Sequence, residues 1–123
     1  MSWNNIKVDK ADKAFSRYIR LTRKQCENCG KKGTGNDGIT GLQASHYHGR
    51  RKESVRFDEQ NVDCLCIGCH KKLGTDDRRA YDAFKIKQLG QKGFDLLMLR
   101  ANTPGKKDRK LAWIYYNAKL KEL

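Results

Sequence analysis

The chain has 123 residues, 37% hydrophobic and 33% charged, and 27 Lys plus Arg against 14 Asp plus Glu give a formal net charge of +13. This length supports one domain with one modest core, and the cationic excess points to a polyanionic partner, nucleic acid first, rather than to a metabolic substrate. No apolar run approaches the roughly 18 residues of a membrane span, and MSWNNIKVDKADKAF lacks a signal-peptide core, so neither membrane insertion nor secretion is expected and a cytoplasmic setting is.

Residues 1–24 are expected to form a basic N-terminal segment. Asp9 is a candidate cap for a helix over 10–24, with Ala11, Phe15, Tyr18, Ile19 and Thr22 at core-facing spacing. Lys13, Arg17, Arg20, Arg23 and Lys24 cover much of the rest and are candidates for either solvation or DNA contact. Cys26-Glu-Asn-Cys29 then makes a knuckle, with Gly30 easing its turn. The stretch 30–38 is glycine-rich and polar, and Asn36-Asp37-Gly38 signals a turn.

Ile39–His46 reads as a strand. Gly49-Arg50-Arg51-Lys52-Glu53 is a basic loop, and Ser54–Phe57 a short extended piece. A second strand is expected over Asn61–Leu65. A helix should start near Cys66 or Cys69 and carry His70. Another helix, capped by Asp76 or Asp77, presents Tyr81, Phe84, Ile86 and Leu89 and ends at Gly90. After Gly93 comes a short helix with Phe94, Leu97, Met98 and Ala101. Thr103-Pro104-Gly105 breaks the chain. A basic helix over roughly 106–122 shows an apolar stripe of Leu111, Ile114, Tyr115 and Ala118, with Trp113 and Tyr116 beside it. It either packs on the domain or projects as an arm.

The five cysteines are odd in number and come without a secretion signal, which argues against disulfides. Cys26/Cys29 and Cys66/Cys69 are two C-x2-C pairs. Such pairs suit a tetrahedral zinc site closed by four thiolates, and zinc would add folding free energy to a lean core. Cys64 is left over, as a small buried residue or a substitute ligand. His46, His48 and His70 lie between and beside the knuckles and suggest a second site.

The segments Leu42-Gln-Ala-Ser-His-Tyr-His-Gly-Arg-Arg51 and Arg56-Phe-Asp-Glu-Gln-Asn-Val-Asp-Cys-Leu-Cys-Ile-Gly-Cys-His70 resemble the HNH, or ββα-metal, nucleases. Within that superfamily they are most similar to the phage NinG/Rap recombination nucleases, over about residues 24–100. The resemblance implies an α+β fold, a ββα-metal core over 25–75 clamped by a four-cysteine zinc site with a helical extension over 76–101; the basic helices over 1–24 and 106–123 flank it and lie outside the resemblance. It implies a metal-dependent DNA endonuclease, with His46 as general base, His70 as metal ligand on the helix, and Asn61 bracing the hairpin or orienting His46. The catalytic ion is expected to be Mg²⁺ or Mn²⁺, separate from structural Zn²⁺.

Many HNH enzymes place an acidic or histidine ligand where this chain has Ser45. His48 is the first candidate to replace it, because two residues apart on a straight strand share a face. Asp63 and Asp76 are weaker candidates, and His46 and His48 could exchange roles. Arg50, Arg51, Lys52 and Arg56 are expected to meet the phosphate backbone. The resemblance implies DNA as the substrate, branched in the similar families, and a homodimer would suit a branched substrate. The rival reading is a non-catalytic zinc module that binds nucleic acid through a degenerate HNH site. A toxin-like nonspecific nuclease is a third.

Overall fold

The computed structural model describes residues 7–123. It is an α+β arrangement of a two-stranded antiparallel sheet and four helices: α1 (Lys10–Arg23), β1 (Leu42–His46), β2 (Val62–Cys66), α2 (Ile67–Lys71), α3 (Arg78–Asn102) and α4 (Arg109–Lys121). Trp3, for which the sequence suggests no role, lies outside the described residues.

Helix α1 starts with a capping box. Asp9 accepts from the amides of Ala11 and Asp12 at 2.9 and 3.1 Å, and the Asp12 carboxylate accepts in turn from the Asp9 amide at 2.9 Å. Its buried face is Ala11, Ala14, Phe15 and Ile19, with Tyr18 half-buried beside them; Thr22, expected on that face, is exposed and donates its hydroxyl to the Tyr18 carbonyl at 2.8 Å. The strands pair in the register Leu42↔Cys66 to His46↔Val62. Both strands are therefore shorter at the start than their sequences suggest, and β2 runs on through Cys66. Ser54–Phe57 is not extended: Glu53–Val55 is a single 3₁₀ turn. A short π-helical stretch, Lys72–Asp76, follows α2.

Gly90 does break the third helix, at φ 75° and ψ 163°, a conformation that costs a glycine little. Helix resumes directly after it, without waiting for Gly93. Leu97 and Ala101 are buried in the second half as expected.

Helix α4 packs on α1 through Tyr116, whose ring lies 4.8 Å from that of Phe15 and 5.2 Å from that of Tyr18. Lys10 covers Trp113 at 4.0 Å. The buried face is thus the one carrying Ala112, Trp113, Tyr116 and Leu120, while Leu111, Ile114 and Tyr115 are exposed. The stripe expected from the sequence points outward. Both faces of this helix are apolar enough to read as a stripe, and the aromatic pocket on α1 selects between them.

A buried ion pair joins the sheet to α3. Lys85 and Asp63 are each fully buried, with Nζ 3.1 and 3.3 Å from the carboxylate oxygens. Tyr81 donates to Asp63 at 2.8 Å, and Gln88 donates to it at 3.0 Å. The carboxylate is therefore committed to the fold, which removes Asp63 as a metal-ligand candidate. Asp63→Ala leaves an uncompensated buried ammonium and should cost about 3–5 kcal/mol. Urea unfolding measures this, and a loss below about 1 kcal/mol would contradict the pairing.

Candidate functional site

Two knuckles bring four cysteines together. The Sγ atoms of Cys26, Cys29, Cys66 and Cys69 all lie within 4.8 Å of one another. Sulfurs about 2.3 Å from a tetrahedral zinc stand about 3.8 Å apart. Cys29 and Cys66 are separated by 3.7 Å, so the cluster can hold a structural metal such as zinc without rearrangement at that edge. In each knuckle the amide of the second cysteine points at the first sulfur, Cys29 to Cys26 and Cys69 to Cys66, both at 3.5 Å. Burial pushes the Cys26 thiol up, but surrounding backbone amides, that of Cys29 first, outweigh it and bring the thiol down to about 7. Asn28 donates to Cys69 at 3.3 Å.

Cys64 is fully buried outside this cluster, and burial raises its thiol to about 11. It is a packing residue. Glu27, for which the C-x2-C spacing gives no signal, fastens the first knuckle to β2. Its carboxylate accepts from the Cys64 amide, and its own amide donates to the Cys64 carbonyl, both at 2.8 Å.

Beside the sheet is a cleft of about 250 Å³ lined by Ala44, His46, Gly49, Arg50 and His70. It brings together the strand histidine and the helix histidine across 24 positions of sequence. The His46 Nε2 atom is 3.1 Å from the carbonyl of Arg56. A carbonyl only accepts, so Nε2 carries the proton and Nδ1 keeps its lone pair. Burial first, and the charge of Arg50 second, hold the His46 imidazole down at about 4. His70 bonds Gln43 Oε1 through Nδ1, which by the same argument leaves Nε2 as its free ligand atom. Its pKa is also lowered, by burial and then by Arg50. A Cβ on Gly74 would come within 3.3 Å of the His70 ring, a tight contact that the imidazole would have to yield to.

The depressed His46 has a sign for stability. Its unfolded form binds a proton near pH 6.5 and its folded form only near 4, so folding stability falls as pH drops through that interval. The cost is at most about 3 kcal/mol at the acid end. His46→Gln should flatten the pH dependence of urea unfolding between those limits, and an unchanged slope would place the titration elsewhere.

His48 does not join this cleft. Strand β1 ends at His46, so strict alternation no longer applies at position 48. The His48 amide is held at 2.9 Å by Asn61 Oδ1. Its ring stands 4.7 Å from that of Tyr47, on the side of Arg78, Lys52 and Lys85, and burial followed by these charges lowers its pKa. The expectation of His48 as the second ligand to an ion at His70 is therefore corrected. Asn61 is fully buried and spends its side chain on the loop: besides the His48 amide it reaches the His48 carbonyl at 2.9 Å and the Val55 carbonyl at 3.1 Å. It braces the segment that carries Arg50 and hydrogen-bonds to neither cleft imidazole. Ser45 is buried and 3.0 Å from the Tyr81 hydroxyl. Asp76 is exposed and pairs with Lys71 at 3.3 Å.

Arg56 is also corrected as a phosphate contact. It is 2% exposed. Its donors go to Asp12 at 2.9 and 2.6 Å, to Glu53 at 3.0 Å and to the Lys7 carbonyl at 2.8 Å. A guanidinium so committed holds the N-terminal helix to the loop. Burial pushes Asp12 up, but the bonds from Arg56 win and keep it below its ordinary range. Arg50 has its Nε 3.6 Å from Asp12 and without a hydrogen bond. Arg51 and Lys52 are exposed, with Lys52 Nζ 3.2 Å from the Asn102 side chain. On α1, Arg23 is drawn inward, to the Val62 carbonyl at 2.6 Å and Glu27 at 2.7 Å.

Among known proteins, the family model described as Bacteriophage Lambda NinG protein matches residues 4–123. Neither the curated proteins nor the solved structures contain a match to the chain.

Proposed function

Because the chain belongs to the phage lambda NinG family, we propose that it is a metal-dependent DNA endonuclease of HNH type that acts in phage recombination or branched-DNA processing. The observation that carries this reading is the cleft whose lining brings His46, His70 and Arg50 together. His46 is neutral at physiological pH, and its Nδ1 lone pair can take a proton from an attacking water. Its donor bond to the Arg56 carbonyl fixes the ring and the tautomer. Arg50, on the lining of the cleft, offers its guanidinium charge to a phosphate, although its Nε is buried against Asp12. His70, aimed by Gln43, presents Nε2 as a metal ligand.

A divalent cation bound there supplies charge stabilisation for the phosphoryl group and the leaving oxygen. The residues lining the cleft include imidazoles and a guanidinium but no carboxylate. The remaining ligands of the cation would then be phosphate and water oxygens. This donor set suits Mn²⁺, which accepts imidazole, better than Mg²⁺. The four-cysteine site is separate, closed by its thiolates, and serves the fold.

The test is cleavage of a supercoiled plasmid and of a four-way junction in EDTA, Mg²⁺ and Mn²⁺. The expected result is no cutting in EDTA and faster cutting in Mn²⁺ than in Mg²⁺. The plasmid-to-junction ratio separates a general endonuclease from a junction-directed one, for which a homodimer is the natural form. The lack of a carboxylate also favours a second reading, a non-catalytic zinc module. That reading expects both DNAs to be bound and neither to be cut under any cation.

A further inference from the structure

A second concavity, of about 450 Å³, lies between the 51–54 segment and the α3–α4 connection. Its walls include Arg51, Lys52 and Ser54 on one side and Asn102, Thr103 and Lys106 on the other. We propose that this groove is a phosphate-binding track. In it, the backbone of a DNA strand lies next to the phosphate held in the His46 cleft. The proposal deepens the nucleic-acid reading above and rests on it.

Four observations point there. The first is the turn between the two concavities. The Lys52 amide donates to the Gly49 carbonyl at 3.0 Å, so Gly49–Lys52 is a tight turn whose ends are less than about 7 Å apart. Gly49 and Arg50 line the histidine cleft, whereas Arg51 and Lys52 line the groove. One strand of duplex DNA carries a phosphate about every 3.4 Å of helix axis. A single turn of this size therefore spans the step from one phosphate to its near neighbours.

The second is charge. Arg51, Lys52 and Lys106 all belong to the groove, and its one carboxylate, Glu53, is charge-paired through Oε2 with Arg56 at 3.0 Å and Arg109 at 2.6 Å, its Oε1 being buried without a hydrogen bond. The third is that the walls are tied together before any ligand arrives. Ser54 Oγ donates to the Arg100 carbonyl at 2.6 Å, and Lys52 reaches Asn102. The fourth concerns the helix end that faces the groove. Its carbonyls, which would repel an anion, are partly satisfied: Thr103 Oγ1 donates to Leu99 at 2.6 Å and the Thr103 amide to Arg100 at 3.3 Å.

Lys106 gives the cleanest test, because it is exposed and lies on the wall away from the histidines. A labelled duplex of about 30 base pairs is titrated with wild type, Lys106→Ala and Lys92→Ala across about 50 to 200 mM salt, without added divalent cation. Lys92 is an exposed lysine elsewhere on α3 and carries the same charge change. Lys106→Ala should weaken binding about three- to tenfold at low salt and reduce the slope of log K against log salt by about 0.9, the loss of one phosphate contact. Lys92→Ala should change neither by more than about twofold in affinity. Equal effects of the two substitutions, or none from Lys106→Ala, overturn the groove and leave the nuclease reading standing. No binding by wild type at any salt overturns both.

Discussion

His46→Ala is expected to lower DNA cleavage about 10²–10⁴-fold, the range for removing a general base, while leaving DNA affinity within about twofold. The side chain is one of the cleft's two imidazoles, and the carbonyl bond at Nε2 leaves it one basic nitrogen. Arg50 and the backbone around it, not His46, supply the charge that would hold a phosphate, so binding and turnover should separate. The conservative His46→Gln keeps an N–H donor for the Arg56 carbonyl but has no comparable base, and it should be as inactive as alanine. The pH profile adds a second readout. With its pKa down at about 4, His46 is already deprotonated at neutral pH. Cleavage should therefore not fall between about pH 8 and 6 on its account, as it would for an imidazole of ordinary pKa. Cleavage that survives in both variants would remove His46 as the base, and binding without cleavage by wild type would move the protein to the zinc-module reading.

Removing the metal from the four-cysteine cluster should abolish cooperative unfolding. Structural zinc contributes apparent free energies of about 10–16 kcal/mol in small zinc modules, which equals or exceeds the whole stability of an ordinary domain, about 5–15 kcal/mol. Here the cluster joins the end of β2 to the loop after α1, and Cys66 also caps α2 through its sulfur. Losing it frees the helix that carries His70. Cys66→Ser should therefore lower Tm by more than about 15 °C and release the metal. Cys64→Ala should keep about one zinc per chain, since Cys64 lies outside the cluster. Metal analysis with thermal circular dichroism reads both. Retention of metal and of a sharp transition by Cys66→Ser would exclude the four-thiolate site.

Lys106→Ala and Asp63→Ala probe different parts of the molecule, the basic groove and the buried pair. They are far enough apart in chemistry that the first should leave urea stability unchanged while the second should reduce it without touching the salt slope.

Much of the fold was legible in the sequence because its signals are local. Asp9 caps α1 since a short acidic side chain reaches free amides two and three residues on. Gly90 breaks α3 because only glycine adopts its backbone cheaply. The C-x2-C pairs announce a four-sulfur cluster through spacing alone, and the resemblance to the HNH nucleases implies the strand and helix that set His46 near His70. What the sequence could not state is which face of an element is covered and which charges are paired, since both depend on surfaces distant along the chain. Helix α4 carries apolar residues on two faces, and the Phe15–Tyr18 surface of α1 selects the one with Tyr116. Arg56 looks like its basic neighbours until Asp12, 44 residues away, is seen to bury it. Lys85 sits in a polar-looking stretch, yet Asp63 makes its burial tolerable. His48 obeys strand alternation in sequence and leaves the strand in space, because Asn61 seizes its backbone. Local propensity chose the elements of this protein, and long-range pairing of charge and aromatic surface decided which of their side chains are left to do chemistry.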